Sequence, residues 1–322
     1  MSEVALRRTG SLDRDRVLGL LNSYGVYAAI VLLLIVDAVI TPGFISANNA
    51  RVQTLQVVPI LLVALGMAMV IGTEGIDLSV GAVIALSAAI VPLYIGYGAA
   101  GAILVAVVAG GLAGVVSGTT VAVARVQPIV ATLALMIGLR GIAIIINGAT
   151  AKPVNDDTFS ALGIGSVAGV PWMAVIGIVA VVVVSFVVRR TTFGRQVVAI
   201  GDNRAASQLA GLPVRRVLVS VYVISGVLAA LAGVLITGYG AQADPAGYGL
   251  NYELFAITAV VVGGTPLSGG RIKVVGTAAG AVLMQLITAT LIAQNVPTAY
   301  AQIVQAIIII LAVYAARGRL TR

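Results

Sequence analysis

Apolar runs of similar length recur along the chain, separated by short polar stretches. They occupy residues 24–40, 52–71, 78–97, 99–121, 128–147, 171–188, 217–237, 252–264, 274–293 and 299–316. Most can cross about 30 Å of hydrocarbon as helix. The pattern predicts an all-α, polytopic membrane protein of about ten transmembrane helices. The eighth run is the weak one, because Gly247, Asn251 and Glu253 dilute the approach to a short apolar core. Three parts are expected: a cytoplasmic N-terminal tail over 1–23, a membrane domain over 24–316 and a cytoplasmic C-terminal tail over 317–322. The N-terminal stretch lacks the compact apolar core of a signal peptide.

Charge placement orients the segments. With the first tail inside and ten crossings, the inner side receives Arg7, Arg8, Arg14, Arg16, Arg125, Arg189, Arg190, Arg195, Arg204, Arg215, Arg216, Arg271, Lys273, Arg317, Arg319 and Arg322. Of the 19 lysines and arginines only Arg51 and Lys152 fall outside, with Arg140 inside a run. That asymmetry is the positive-inside bias of membrane proteins. It places both termini and 189–216 in the cytoplasm, and 151–167 and 240–251 outside. It also explains the net charge of +8 as topology, not nucleic-acid binding.

Composition agrees: 60% of residues are apolar and 9% charged, against roughly 25% charged in soluble domains. The chain has no cysteine and no histidine, which removes disulfides, thiol chemistry, histidine relays and Cys/His metal sites. It contains no G-x-x-x-x-G-K-[ST] loop, no H-E-x-x-H and no G-x-S-x-G. An enzyme acting alone is not expected, nor a cofactor or metal held by this chain.

The longest polar interruption of the second half is TTFGRQVVAIGDNRAASQLAGLPVRR, residues 191–216. Its middle predicts one short helix of roughly two turns. Asp202 or Asn203 suits the N-cap, Gly211 the left-handed closing position, and Pro213 prevents continuation. Ala205, Ala206 and Leu209 share a face. Such a helix suits insertion into a partner's groove; the alternative is a loop that only obeys the charge bias.

Two stretches break the plain-helix pattern. GTEGIDLSVG, residues 72–81, sets Glu74 and Asp77 among Gly75 and Ser79, and acidic groups near the bilayer interior suggest function by default. Asp77 or Ser79 also suits N-capping of the third helix. GYGLNYELFAITAVVVGGTPLSGG, residues 247–270, carries Asn251 and Ser268. Interrupted segments in the two halves are the best sequence pointer to a translocation site. Gly110, Gly114 and Gly118 form a small-residue stripe that predicts a close helix contact. Gln127, Asn147, Gln285, Gln294, Asn295, Gln302 and Gln305 suit either a lining for a neutral polar solute or interhelical glue.

GTEGIDLSVGAVIAL, GRQVVAIGDNRAASQLAGLPVRRV and AVVVGGTPLSGGRIKVVGTAAGAVL, in this order, resemble the permease subunits of bacterial ABC importers of the ribose/xylose/galactose type. The likeness runs from about Val52 to the end, and Glu74 stands where that family's motif has the first glycine of a pair. The resemblance implies a type II ABC importer permease fold in the bacterial cytoplasmic membrane and import of a monosaccharide. It implies a separate cytoplasmic ATPase that binds ATP and Mg, a periplasmic or lipid-anchored sugar-binding protein, and a second permease subunit, identical or paralogous. The coupling helix would then involve Gly201, Asp202, Asn203, Ala205, Ala206, Leu209 and Gly211. Pathway candidates at the broken segments are Gly75, Asp77, Ser79, Asn251 and Ser268. Competing readings are a branched-chain amino-acid or autoinducer permease, or an ion-coupled carrier using Asp37, Glu74, Asp77, Arg140 or Glu253.

Overall fold

The computed structural model describes residues 25–297 and, beyond them, 300, 302, 303, 306, 307 and 310. Its described helices are α1 (Gly25–Ile40), α2 (Ala47–Gly72), α3 (Val80–Tyr94), α4 (Ala99–Ala122), α5 (Pro128–Asn147), α6 (Asp157–Ile164), α7 (Trp172–Arg190), α8 (Thr192–Asp202), α9 (Arg204–Leu209), α10 (Val214–Gly240), α11 (Tyr252–Val262) and α12 (Val274–Ala293). Both tails and most of the tenth apolar run, with Gln305, lie outside the described residues.

Seven helices are long and apolar enough to cross a membrane: α2, α3 with its short continuation, α4, α5, α7, α10 and α12. α1 and α11 are apolar but shorter. The expected count of about ten crossings is not confirmed among the described residues. The eighth run, where glycine and polar residues dilute the pattern, supplies only the 11 residues of α11, about 16 Å of helix. Two pairs of two-residue strands qualify the all-helical reading. β1 (Lys152–Pro153) pairs antiparallel with β4 (Gln242–Ala243), and β2 (Ser166–Val167) with β3 (Val170–Pro171).

α2 is the central post. It is apolar on every side, and all its residues from Val58 to Gly72 are buried, as expected of a helix surrounded by others. α7, α10, α11 and α12 pack around it. α4, α5 and α7 stand at the periphery and expose Leu104, Leu112, Ile137, Ile145, Val182 and Phe186, the surface a lipid-facing helix presents.

α4 and α10 make the most extensive helix contact, along the glycine stripe. A methyl group on Gly110 would fall 2.6 Å from the Gly226 carbonyl oxygen, and one on Gly114 or Gly118 2.7 Å from the Cα of Val223 or Val219. Small residues let the two backbones meet.

α3 and α11 both begin beside each other after irregular chain. A methyl group on Gly81, the second residue of α3, would sit 2.6 Å from Glu253 Oε2 of α11 and would overlap the Gly249 carbonyl. From this crossing, 73–79 runs back to the end of α2, and 241–251 runs to the end of α10. Such backbone is tolerated at membrane depth where protein covers it.

Candidate functional site

The three glycine-bearing motifs, far apart in sequence, meet at one end of the molecule. Thr191 opens α8: its hydroxyl oxygen accepts from the Gly194 N–H at 3.1 Å. Val197 and Ile200 bury one face of α8, which drives the helix's end onto the body of the protein. There a methyl group on Gly201 would overlap the Gly72 carbonyl at the end of α2 and lie 2.6 Å from the Gly270 nitrogen. Gly270 in turn donates its N–H to the Gly72 carbonyl at 3.2 Å. The end of α8 thus touches the start of the 73–79 break and the close of the 264–270 turn together.

α9 projects from this junction. Asn203 is its N-cap, with Oδ1 accepting from the Ala206 N–H at 2.9 Å. Gly211 turns the chain in the left-handed region at φ 78°. Ser207 is buried, whereas Ala205 and Ala206 are exposed and Leu209 is 91% exposed. The expected single helix is corrected here to two. Asp202 ends α8 instead of capping α9, and α9 has 6 residues. α8 escaped the sequence reading because its glycines and β-branched residues give it little intrinsic helicity; packing stabilises it.

Beyond the junction, Asp77 organises a buried polar cluster. Oδ1 accepts from the Ser79 N–H at 3.1 Å and its hydroxyl at 2.6 Å, and Oδ2 accepts from the Ser225 hydroxyl of α10 at 2.9 Å. The Ser79 and Ser117 hydroxyl oxygens are 3.5 Å apart, which brings in α4. The Tyr222 hydroxyl is buried without a hydrogen-bond partner among the described residues, 2.9 Å from where a methyl group on Gly75 would stand. The capping alternative is thereby corrected. Neither Asp77 nor Ser79 bonds the N–H groups within α3 by side chain, because Asp77 is spent on tying the break to α10.

Arg140 of α5 holds the second break in place. Its guanidinium donates to the carbonyls of Pro245 at 2.9 Å, Tyr248 at 2.6 Å and Gly81 at 3.3 Å. Glu253 and Asp244 both act on its charge. One half-buried cation thus clamps the 244–249 loop onto the start of α3, satisfying the Pro245 and Tyr248 carbonyls, which lie outside any helix.

Between α2, α10, α11 and α12, at the end of the bundle away from α8 and α9, lies a cavity of about 410 Å³. Tyr239, Tyr248, Tyr252 and Phe255 supply aromatic walls, and Gln56 and Gln285 supply amides. Burial pushes the Tyr248 phenol pKa up, opposed by a hydrogen bond with Gln242, so the hydroxyl stays protonated. The amides are linked: the Gln285 amino group donates to Gln53 Oε1 at 2.9 Å and Gln56 Oε1 at 2.7 Å.

The model of the family described as "Branched-chain amino acid transport system / permease component" matches residues 49–313. The chain belongs to this family. It is 37% identical over 303 residues to the ribose import permease protein of Haemophilus influenzae, covering 90% of this chain and 91% of that one. It is 36% identical over 300 residues to the ribose import permease protein of Bacillus subtilis, covering 92% of each. The L-arabinose ABC transporter permease protein of Azospirillum brasilense is 33% identical over 306 residues, covering 93% of this chain and 89% of that one. No solved structure matches the chain.

This multi-pass membrane permease brings some of the candidate residues together and separates others. Gly75, Asp77 and Ser79 share the polar cluster. Gly201 and Asp202 lie at the glycine junction with Gly269 and Gly270, and Ser268 precedes them, exposed. Asn251 stands apart at the start of α11 with φ 64°, its side chain making no cap bond. The neutral amides act in part as glue: Asn147 donates to the Ala243 carbonyl at 3.2 Å, and Gln294 to the Thr41 hydroxyl at 3.1 Å. Ser225, Tyr222 and the tyrosines of the cavity were missed. A density of aromatics over 239–255, in a chain with only 5% aromatic residues, was the available signal for the last group.

Proposed function

We propose that this permease is the membrane-spanning subunit of an ATP-binding cassette importer that moves a monosaccharide inward by alternating access. The names of its relatives support the class, since the three described above, at 33–37% identity, are ribose and arabinose permeases. The observation that carries the mechanism is the glycine junction, which joins an exposed, capped helix to both broken segments. The partners are a cytoplasmic ATPase that holds ATP and Mg, an external sugar-binding protein, and a second permease subunit, a copy or a paralogue.

In this reading α9 is the coupling helix. When the ATPase pair closes, it displaces α9, and α8 carries the motion as a rigid lever to Gly201. There the backbones of Gly72 and Gly270 leave no gap for the motion to be absorbed. The push reaches the foot of α2 and the 264–270 turn together, biasing a two-state arrangement of the broken segments. This chain supplies a passage and a lever, and no ATP chemistry.

An ion-coupled carrier is less well supported. Asp77 accepts three hydrogen bonds, Asp37 accepts from Thr290 at 2.8 Å, and Glu74 is exposed. The test is reconstitution of the permease with its ATPase and binding protein in proteoliposomes. Uptake of labelled ribose or arabinose should require ATP on the ATPase side. Uptake that follows a proton or sodium gradient without ATP would refute the proposal.

A further inference from the structure

We infer that the cavity between α2, α10, α11 and α12 is a resting site for a neutral monosaccharide inside the permease, held by Gln56, Gln285, Tyr239 and Tyr252. The inference rests on the proposed function and names residues for it. A volume of about 410 Å³ lies within the roughly 300–1,000 Å³ of small-molecule sites. The described lining contains no charged side chain, which selects against an amino acid. A zwitterion here would leave an ammonium and a carboxylate without compensation, at high desolvation cost. A sugar has no such charge, and its needs match what the walls offer. Aromatic rings present broad apolar faces with a polar hydroxyl at the edge, suited to the C–H face and the hydroxyl rim of a sugar ring.

The amide network fixes the polar side of the site. Gln285 spends both amino hydrogens on Gln53 and Gln56, and Gln53 donates to Asn49 Oδ1 at 3.2 Å. What remains without a partner among the described residues is the Gln285 carbonyl oxygen and the Gln56 amino group. One is an acceptor and the other a donor, on residues that both line the cavity. A sugar hydroxyl donates and accepts at once, so one hydroxyl can serve both. Polar groups left half-used on a cavity wall in this way are where a site built to hydrogen-bond a solute discriminates against solutes lacking the group.

The test uses the full complex in proteoliposomes with ribose and 2-deoxyribose as probes, and leucine as the zwitterionic control. Gln56→Leu keeps the volume and removes the donor; Tyr252→Phe removes one hydroxyl. In Gln56→Leu and Tyr252→Phe, ribose uptake should fall about tenfold while ATPase stimulation by the loaded binding protein is retained. The wild-type preference between ribose and 2-deoxyribose should shrink in the same variants. If wild type takes up ribose and both variants match it, or lose uptake and ATPase stimulation together, the cavity is packing and this inference falls. If wild type takes up leucine but neither sugar, the proposed function itself falls.

Discussion

At the scale of single residues, Glu74 shows a motif position read by backbone geometry. The resembling family has a glycine here, and Glu74 adopts φ 63°, the left-handed region where a side chain costs roughly 1–2 kcal/mol. Its side chain is exposed at the glycine junction and makes no hydrogen bond among the described residues. Glu74→Gly should therefore remove strain at no loss of contact, offset in part by the added freedom of glycine in the unfolded chain. A net gain of about 0.5–1 kcal/mol is expected, seen as a higher melting temperature in detergent. An unchanged or lower value would show that Glu74 has a partner in the assembled transporter. The departure from the motif was legible in the sequence, but its cost was not, because a glycine's φ is not written in its neighbours. Arg140 is similar. That it lay inside a run was visible, yet its partners are backbone carbonyls, which carry no sequence signature.

At the scale of elements, legibility followed how local the cause is. The caps of α9 are local chemistry, so Asn203, Gly211 and Pro213 marked its ends within a residue or two. α8 is held by burying Val197 and Ile200, and the half-length of α11 showed only as a diluted run. The junction of Gly72, Gly201 and Gly270 depends on three segments meeting in space, which no local pattern reveals. The consequence for α9 can be tested. Ala205, Ala206 and Leu209 form an exposed face on a helix otherwise tied down by buried Ser207. If that face seats in an ATPase groove, Ala206→Glu places an unpaired carboxylate in the contact, at a cost of about 3 kcal/mol, or roughly a hundredfold in association. Because Ala206 is exposed, the variant should fold and insert normally, co-purify poorly with the ATPase and lose ATP-driven uptake. Full binding and full uptake would mean that α9 is not the coupling helix.

At the scale of the whole molecule, the charge asymmetry read from the sequence becomes a spatial one. Arg125, Arg204, Arg215 and Arg216 line one open groove of about 860 Å³ where α4 ends and α5 and α10 begin. Arg271 and Lys273 follow Gly270 at the glycine junction on that same end. Arg51 lies at the other end, its guanidinium donating to the Ile164 carbonyl at the end of α6, and Lys152 sits in the strand pair with β4. On the inside-positive bias, such a molecule is expected to sit with α8 and α9 in the cytoplasm. Ser207 is a poor place to check this, since it is buried; Leu209 is almost fully exposed, and Thr158 is exposed on α6. The chain has no native cysteine, so Leu209→Cys and Thr158→Cys each give a single thiol. In intact cells an impermeant maleimide should label Thr158→Cys and leave Leu209→Cys unlabelled until the membrane is opened. The opposite pattern would invert the protein in the membrane. It would also turn the lever of α8 and α9 away from any cytoplasmic ATPase, which makes orientation the condition on which the coupling mechanism depends.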